Sequence, residues 1–130
     1  MIKEKLNFAK MGGLIPVVIQ DYQNNEVLMV AYMNAEAIKK TIEGPFVHFY
    51  SRSRNKMWIK GESSGHTQTV KEIYFDCDQD CFLIKVDQKV AACHVGYRSC
   101  FFRKLEDKKI KTVGEKIFIE KDVYPPSDQN

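Results

Sequence analysis

The sequence has no apolar run near the roughly 18 residues that span a bilayer. Its opening, MIKEKLNFAK, also lacks the apolar stretch of a secretory signal. Both absences lead to the expectation of a cytoplasmic protein with no membrane partner, whose four cysteines stay reduced. Charge of one sign is scarce: the net charge is only +3. That balance permits an anionic small molecule but lacks the basic stripe of a nucleic-acid binder, so no nucleic-acid partner is expected. No internal repeat and no linker divide the chain. Its 130 residues therefore read as one domain, with 1–13 as an N-terminal segment and 104–130 as a C-terminal extension that frays toward its end. Hydrophobic residues at 44% and charged residues at 28% exclude bulk disorder.

What is present is concentrated. Between Asp76 and Arg103 the chain reads DCDQDCFLIKVDQKVAACHVGYRSCFFR. This stretch holds all four cysteines, three alternating aspartates and one of only three histidines. Thiolates suit zinc and clustered carboxylates suit magnesium or calcium. Cys77, Cys93 and Cys100 are spaced by 16 and 7 positions, which is no zinc-finger knuckle. Three thiol ligands would leave one tetrahedral position open, as catalytic zinc requires. The competing reading is that free cysteines are small core hydrophobes, and Cys81, beside Phe82 and Leu83, fits that better. Asp76, Asp78 and Asp80 cannot begin an EF-hand loop, because its sixth and twelfth positions would be Cys81 and Asp87 rather than Gly and Glu. If extended, the segment puts the three carboxylates on one face and Cys77 on the other. A solvated acidic turn is the alternative.

Upstream, Leu14–Gln20 and Val27–Met33 read as a hairpin around the turn-rich DYQNNE. Met1–Gly13 is expected to include a short helix. Asn34 is an N-cap for AEAIKKTIE, which Gly44-Pro45 closes. Strands are expected at Phe46–Tyr50, Met57–Lys60, Val70–Phe75 and Phe82–Val86. Lys104–Lys111 reads as a solvated charge run, Lys116–Ile119 as an edge strand and Tyr124–Asn130 as a frayed tail. The basic loop with Arg52, Arg54, Lys56 and Lys60 could grip phosphate or be plain solvated surface. Gly61–Gln68 has the composition of a loop that lets a ligand reach the backbone, and its His66 is either an acid–base group or an ordinary loop histidine.

These residues carry a resemblance. Asp76–Asp80 (DCDQD), Ala92–Gly96 (ACHVG) and Ser99–Arg103 (SCFFR), with VLMVAYMN, YSRSR and WIKGESSGHTQ upstream, resemble phosphoribosyl-AMP cyclohydrolases of histidine biosynthesis. Small departures are Ser63 where that family usually has Thr, Val90 where Gly is common, and Val95 where Thr is common. The resemblance implies an α+β fold built on a mixed, barrel-like β-sheet with few helices, in a homodimer. It implies one zinc per subunit on Cys77, Cys93 and Cys100 contributed by both subunits, and one magnesium on Asp76, Asp78 and Asp80. It also implies a monofunctional enzyme, since 130 residues leave no room for the pyrophosphohydrolase domain fused in some organisms.

The implied reaction is hydrolytic opening of the adenine ring of 1-(5-phosphoribosyl)-AMP at N1–C6, giving the formimino-aminoimidazole carboxamide ribotide. Phosphoribosylation at N1 leaves C6 electron-poor and open to hydroxide, which zinc supplies near neutral pH. Zinc deaminases attack the same carbon, but their H-x-E and P-C-x-x-C pattern is absent here. Three thiolates make zinc a weaker Lewis acid, so a nearby base gains importance, with His94 first and His66 second. The substrate-binding candidates are Arg52, Arg54, Lys60, Glu62 and Arg103. Two rivals remain: a zinc-stabilised module that binds nucleotides or RNA, and another metal-dependent hydrolase of modified purines.

Overall fold

The computed structural model describes residues 13–119. The expected N-terminal helix and the tail after residue 119 lie outside the described residues.

Apolar alternation builds the central sheet. β1 (Ile15–Asp21) and β2 (Val27–Met33) form the expected antiparallel hairpin. β6 (Phe82–Gln88) lies parallel to β1, and β5 (Gln68–Phe75) runs antiparallel to β6, giving the order β2-β1-β6-β5. In the β1–β6 register Val17 faces Phe82 and Ile19 faces Ile84. These side chains are fully or almost fully buried. Because side chains alternate across a strand, one face of both strands meets the core. Burying each such side chain contributes about 1.5–3 kcal/mol.

α1 (Ala35–Glu43) starts where Asn34 accepts the Ala37 N–H at 2.9 Å and stops at Gly44, whose φ of 73° suits a residue without a Cβ. Its buried Ala37, Ile38 and Thr41 face the core. Thr41 ties the helix to the next strand, donating to Ala37 O at 2.8 Å and accepting the His48 N–H at 2.9 Å. β3 (His48–Ser51) and β4 (Lys56–Ile59) form a second hairpin. Phe49 stacks on Trp58 with centroids 4.8 Å apart.

The sheet is mixed, as expected, but it is open, with no closed barrel among the described residues. β3 and β4 pair only with each other, and β3 packs against β2 and α1 through side chains. The free edge of β5 is met only by a short bridge, Val47 N to Gln68 O at 3.1 Å and Val70 N to Pro45 O at 2.9 Å. Closure would need a continuous ladder from β5 round to β2, and the chain turns into a separate hairpin instead. Two further expectations are corrected. The charge run is a β-hairpin, β7 (Arg103–Glu106) with β8 (Lys109–Thr112), although every residue in it is exposed. Lys116–Ile119 forms no strand and makes one isolated bridge, Lys116 with Tyr97. Among the described residues no helix is long and apolar enough to cross a membrane.

Candidate active site

The aspartates converge, but through a turn. Asp76 Oδ1 accepts the N–H groups of Asp80 at 3.0 Å and Cys81 at 3.2 Å, while Gln79 takes a φ of 64°. The segment is therefore not extended, and alternation is not what gathers its carboxylates. The turn brings ligand oxygens of Asp76, Asp78 and Asp80 within 4.8 Å of one another. Convergent carboxylate oxygens fit a hard divalent cation. Cys81 at the end of this turn is half-buried, and burial followed by the three carboxylates pushes its thiol up.

Cys93 and Cys100 meet at the far end of the loop after β6. Cys93 is buried and Cys100 is accessible. A hydrogen bond links the two thiols: it pulls Cys93 down to about 6, against its burial, while Cys100 is pushed up by the same bond. Two thiols this close, one of them held below the ordinary thiol range, are a donor pair that fits a soft divalent metal. Cys77 does not join them within one chain. Among the described residues, the carboxylate trio is the one group of three or more Cys, His, Asp or Glu side chains whose ligand atoms converge. Cys77 is exposed on the β5–β6 turn.

Lys60 stands beside the thiol pair. It is only 9% exposed, and its ammonium donates to the Ala92 carbonyl. Burial lowers its pKa, while Cys100 and Cys93 oppose that fall. Lys60 also lines a cleft of about 290 Å³ whose wall includes Ser51, Ser53 and Arg54 of the β3–β4 hairpin, then Trp58, Glu62, Ser63, Ser64 and His94. The cleft thus combines two cations, a row of hydroxyls, an indole and an imidazole. Gly61 makes it possible. At a φ of 88°, a Cβ there would lie 2.6 Å from the backbone of His66 and Thr67.

The structure gathers Arg54, Lys60, Glu62 and His94 in this cleft and places the other candidates elsewhere. Arg52 stacks over Tyr32, 4.0 Å from the ring centroid, in a different hollow with Leu14, Asn34 and Asn55. Arg103 lies over Phe102 at 4.5 Å. His66 is buried with its ring edge-on to Phe118, and burial, then Lys60, holds its pKa down. Sequence reasoning did not single out Ser51, Ser53 or Ser64 as cleft residues. Their signal was the alternation in SRSR and the small residues of GESSG.

Fold and cleft together define an α+β protein with a polar, charged cleft of small-molecule size. The sequence profile described as Phosphoribosyl-AMP cyclohydrolase matches residues 29–102. The Phosphoribosyl-AMP cyclohydrolase of Methanosarcina acetivorans is 57% identical over 113 residues, 87% of this chain and 92% of that protein. That of Clostridium botulinum is 60% identical over 100 residues, 77% of this chain and 92% of that protein. The histidine biosynthesis bifunctional protein of Thermoanaerobacter pseudethanolicus is 54% identical over 112 residues. This covers 86% of the chain but only 52% of the relative, so the chain spans about half of that protein. The chain belongs to the phosphoribosyl-AMP cyclohydrolase family, a family of hydrolases.

Proposed function

We propose that the protein hydrolyses the N1–C6 bond of 1-(5-phosphoribosyl)-AMP in a zinc-dependent step of histidine biosynthesis, as a homodimer. The observation that carries this reading is the cleft lined by Arg54, Lys60 and His94, of which Lys60 and His94 also act on Cys93 of the Cys93–Cys100 pair, in a chain of this family. Cys93 and Cys100 would hold zinc with Cys77 of a second copy. The separation of Cys77 from the other two thiols within one chain supports that division. Zinc bound there supplies Lewis acidity, which lowers the pKa of water toward neutrality.

The remaining work belongs to side chains. Arg54 and the hydroxyls of Ser51, Ser53 and Ser64 provide donors for a phosphate, where a guanidinium fork matches two oxygens. Trp58 gives an apolar wall for a purine face. His94 takes the proton that water loses as its oxygen bonds to C6. It returns that proton to N1 as the N1–C6 bond breaks, while the remaining hydroxyl proton passes to the exocyclic imine nitrogen, so C6 becomes C=O and that nitrogen remains as the carboxamide NH2. Asp76, Asp78 and Asp80 would hold magnesium, whose charge complements substrate phosphates. His66, buried against Phe118, serves the loop beneath the cleft in this account.

The test is an ultraviolet assay of ring opening, with and without a zinc chelator. Activity that is lost on chelation and restored by zinc is expected. Full activity in protein shown metal-free by elemental analysis refutes the zinc reading, and no turnover with bound metal favours a nucleotide-binding module.

A further inference from the structure

The loop that carries Cys93 and Cys100 has almost no regular structure; a few bonds of its own, such as Cys93 N to Tyr97 O at 3.2 Å, shape it, and contacts to the sheet seat it. The guanidinium of Arg98, midway along this loop, makes contacts to three parts of the central sheet. Its Nη2 bonds the Asp21 carboxylate at the end of β1, and its Nε lies 3.7 Å from Glu26 just before β2. Its Nη1 donates to the carbonyls of Gln88 at 3.3 Å and Val90 at 3.0 Å, at and just beyond the end of β6.

Asp21 is itself fixed. It is 2% exposed, and its other oxygen accepts the N–H groups of Gln23 at 2.8 Å and Asn24 at 3.2 Å. Burial pushes this carboxyl up, but the Gln23 N–H, Arg98 and the Asn24 N–H together hold it below its ordinary value. The Val90 carbonyl belongs to a strained residue, a β-branched side chain at a φ of 60°. Such a conformation persists only where its surroundings hold it, and Val90 is 40% exposed, so packing alone does not. From Arg98 the chain returns directly to the ligand residues. Its carbonyl accepts the Ala92 N–H at 2.8 Å, and Cys100 N donates to Leu28 O at 2.7 Å.

We infer that Arg98, anchored on Asp21, is a positioning residue that presets the Cys93–Cys100 pair for metal by clamping their loop to the ends of β1 and β6. This inference rests on the reading of those thiols as zinc ligands. Partners that orient metal ligands typically change metal affinity by about 10–100-fold when removed.

The experiment is a zinc titration of the full-length chain in competition with a chromophoric chelator, for wild type, Arg98→Lys, Asp21→Asn and Cys93→Ser. It is run at a temperature where circular dichroism shows the metal-free proteins folded. Lysine keeps the charge but cannot reach the carboxylate and both carbonyls together. Asparagine keeps the oxygen that caps Gln23 and Asn24 and removes only the charge facing Arg98. Zinc binding weaker by about 10–100-fold in both variants is expected. Wild-type affinity in folded Arg98→Lys overturns the inference, even if its melting temperature falls, since that is the result of a purely structural contact. Should Arg98→Lys not fold, Asp21→Asn decides on the same criterion. Absence of zinc binding in wild type, or undiminished binding in Cys93→Ser, overturns the ligand reading instead, and is recognised because it does not depend on Arg98.

Discussion

Replacing Gly61 by alanine perturbs the cleft at its narrowest backbone approach. A Cβ there meets His66 C and Thr67 N at 2.6 Å and His66 O at 2.8 Å. All three are backbone atoms that no rotamer change can move, and an ordinary carbon contact needs about 3.5–4.0 Å. The loop must open by close to 1 Å. The φ of 88° adds strain of about 1–2 kcal/mol for any residue with a Cβ. Clash and strain together give an expected loss of about 2–4 kcal/mol, a substantial part of a typical domain's 5–15 kcal/mol. Gly65, four residues on in the same loop, is the control. Its φ is 79°, but a Cβ there meets nothing within 4 Å, so Gly65→Ala carries the strain without the clash. Urea unfolding of both variants measures the difference, and ring-opening kinetics measure its effect on the cleft wall. Equal destabilisation of the two variants, or a loss below about 0.5 kcal/mol for Gly61→Ala, refutes the argument from close approach.

Three further outcomes are expected. If Cys77 of one copy completes a site with Cys93 and Cys100 of its twofold partner, co-expressed Cys77→Ser and Cys93→Ser chains should recover roughly a quarter of wild-type activity; proven mixed dimers with no recovery would place all three ligands in one chain. Asp78→Asn should weaken the magnesium response while zinc stays bound, and an unchanged response, read by titrating magnesium in the activity assay, leaves the turn as plain solvated acid. Val90→Gly should raise unfolding stability by about 1 kcal/mol, because it frees a β-branched residue from a φ of 60°; a denaturation midpoint at or below wild type contradicts this.

Much of the scaffold was legible because its signals are local. Asn34, the alanine-rich run and Gly44 mark a helix through capping chemistry that acts within four residues. The β1–β2 hairpin shows in its two apolar runs on either side of a turn-rich segment. The β7–β8 hairpin was hidden because its turn is Asp107-Lys108, both with positive φ, where Asn-Gly is the usual signal. Its Leu105–Ile110 cross-strand pair, at 73% and 76% exposure, looks like a charge run with stray apolar residues. At the site, residue types were readable and proximity was not. The Arg98–Asp21 pair joins residues 77 positions apart, and nothing near either one announces the other. The three aspartates converge by a turn at Gln79 rather than by the alternation that suggested them.

The parallel pairing of β1 with β6 has a consequence for the order of folding. Val17 and Phe82 are direct neighbours across 65 positions of chain, and a contact of that separation forms only after a long loop has closed. Such topologies fold in about milliseconds to seconds rather than microseconds. The docking points of the thiol loop, Asp21 ending β1 and the Gln88 carbonyl ending β6, exist together only once those two strands have met. The thiols are therefore brought into register late, when the sheet is already built. On the zinc reading proposed above, a metal arriving earlier would find scattered cysteines rather than a template, so loading would follow folding instead of nucleating it.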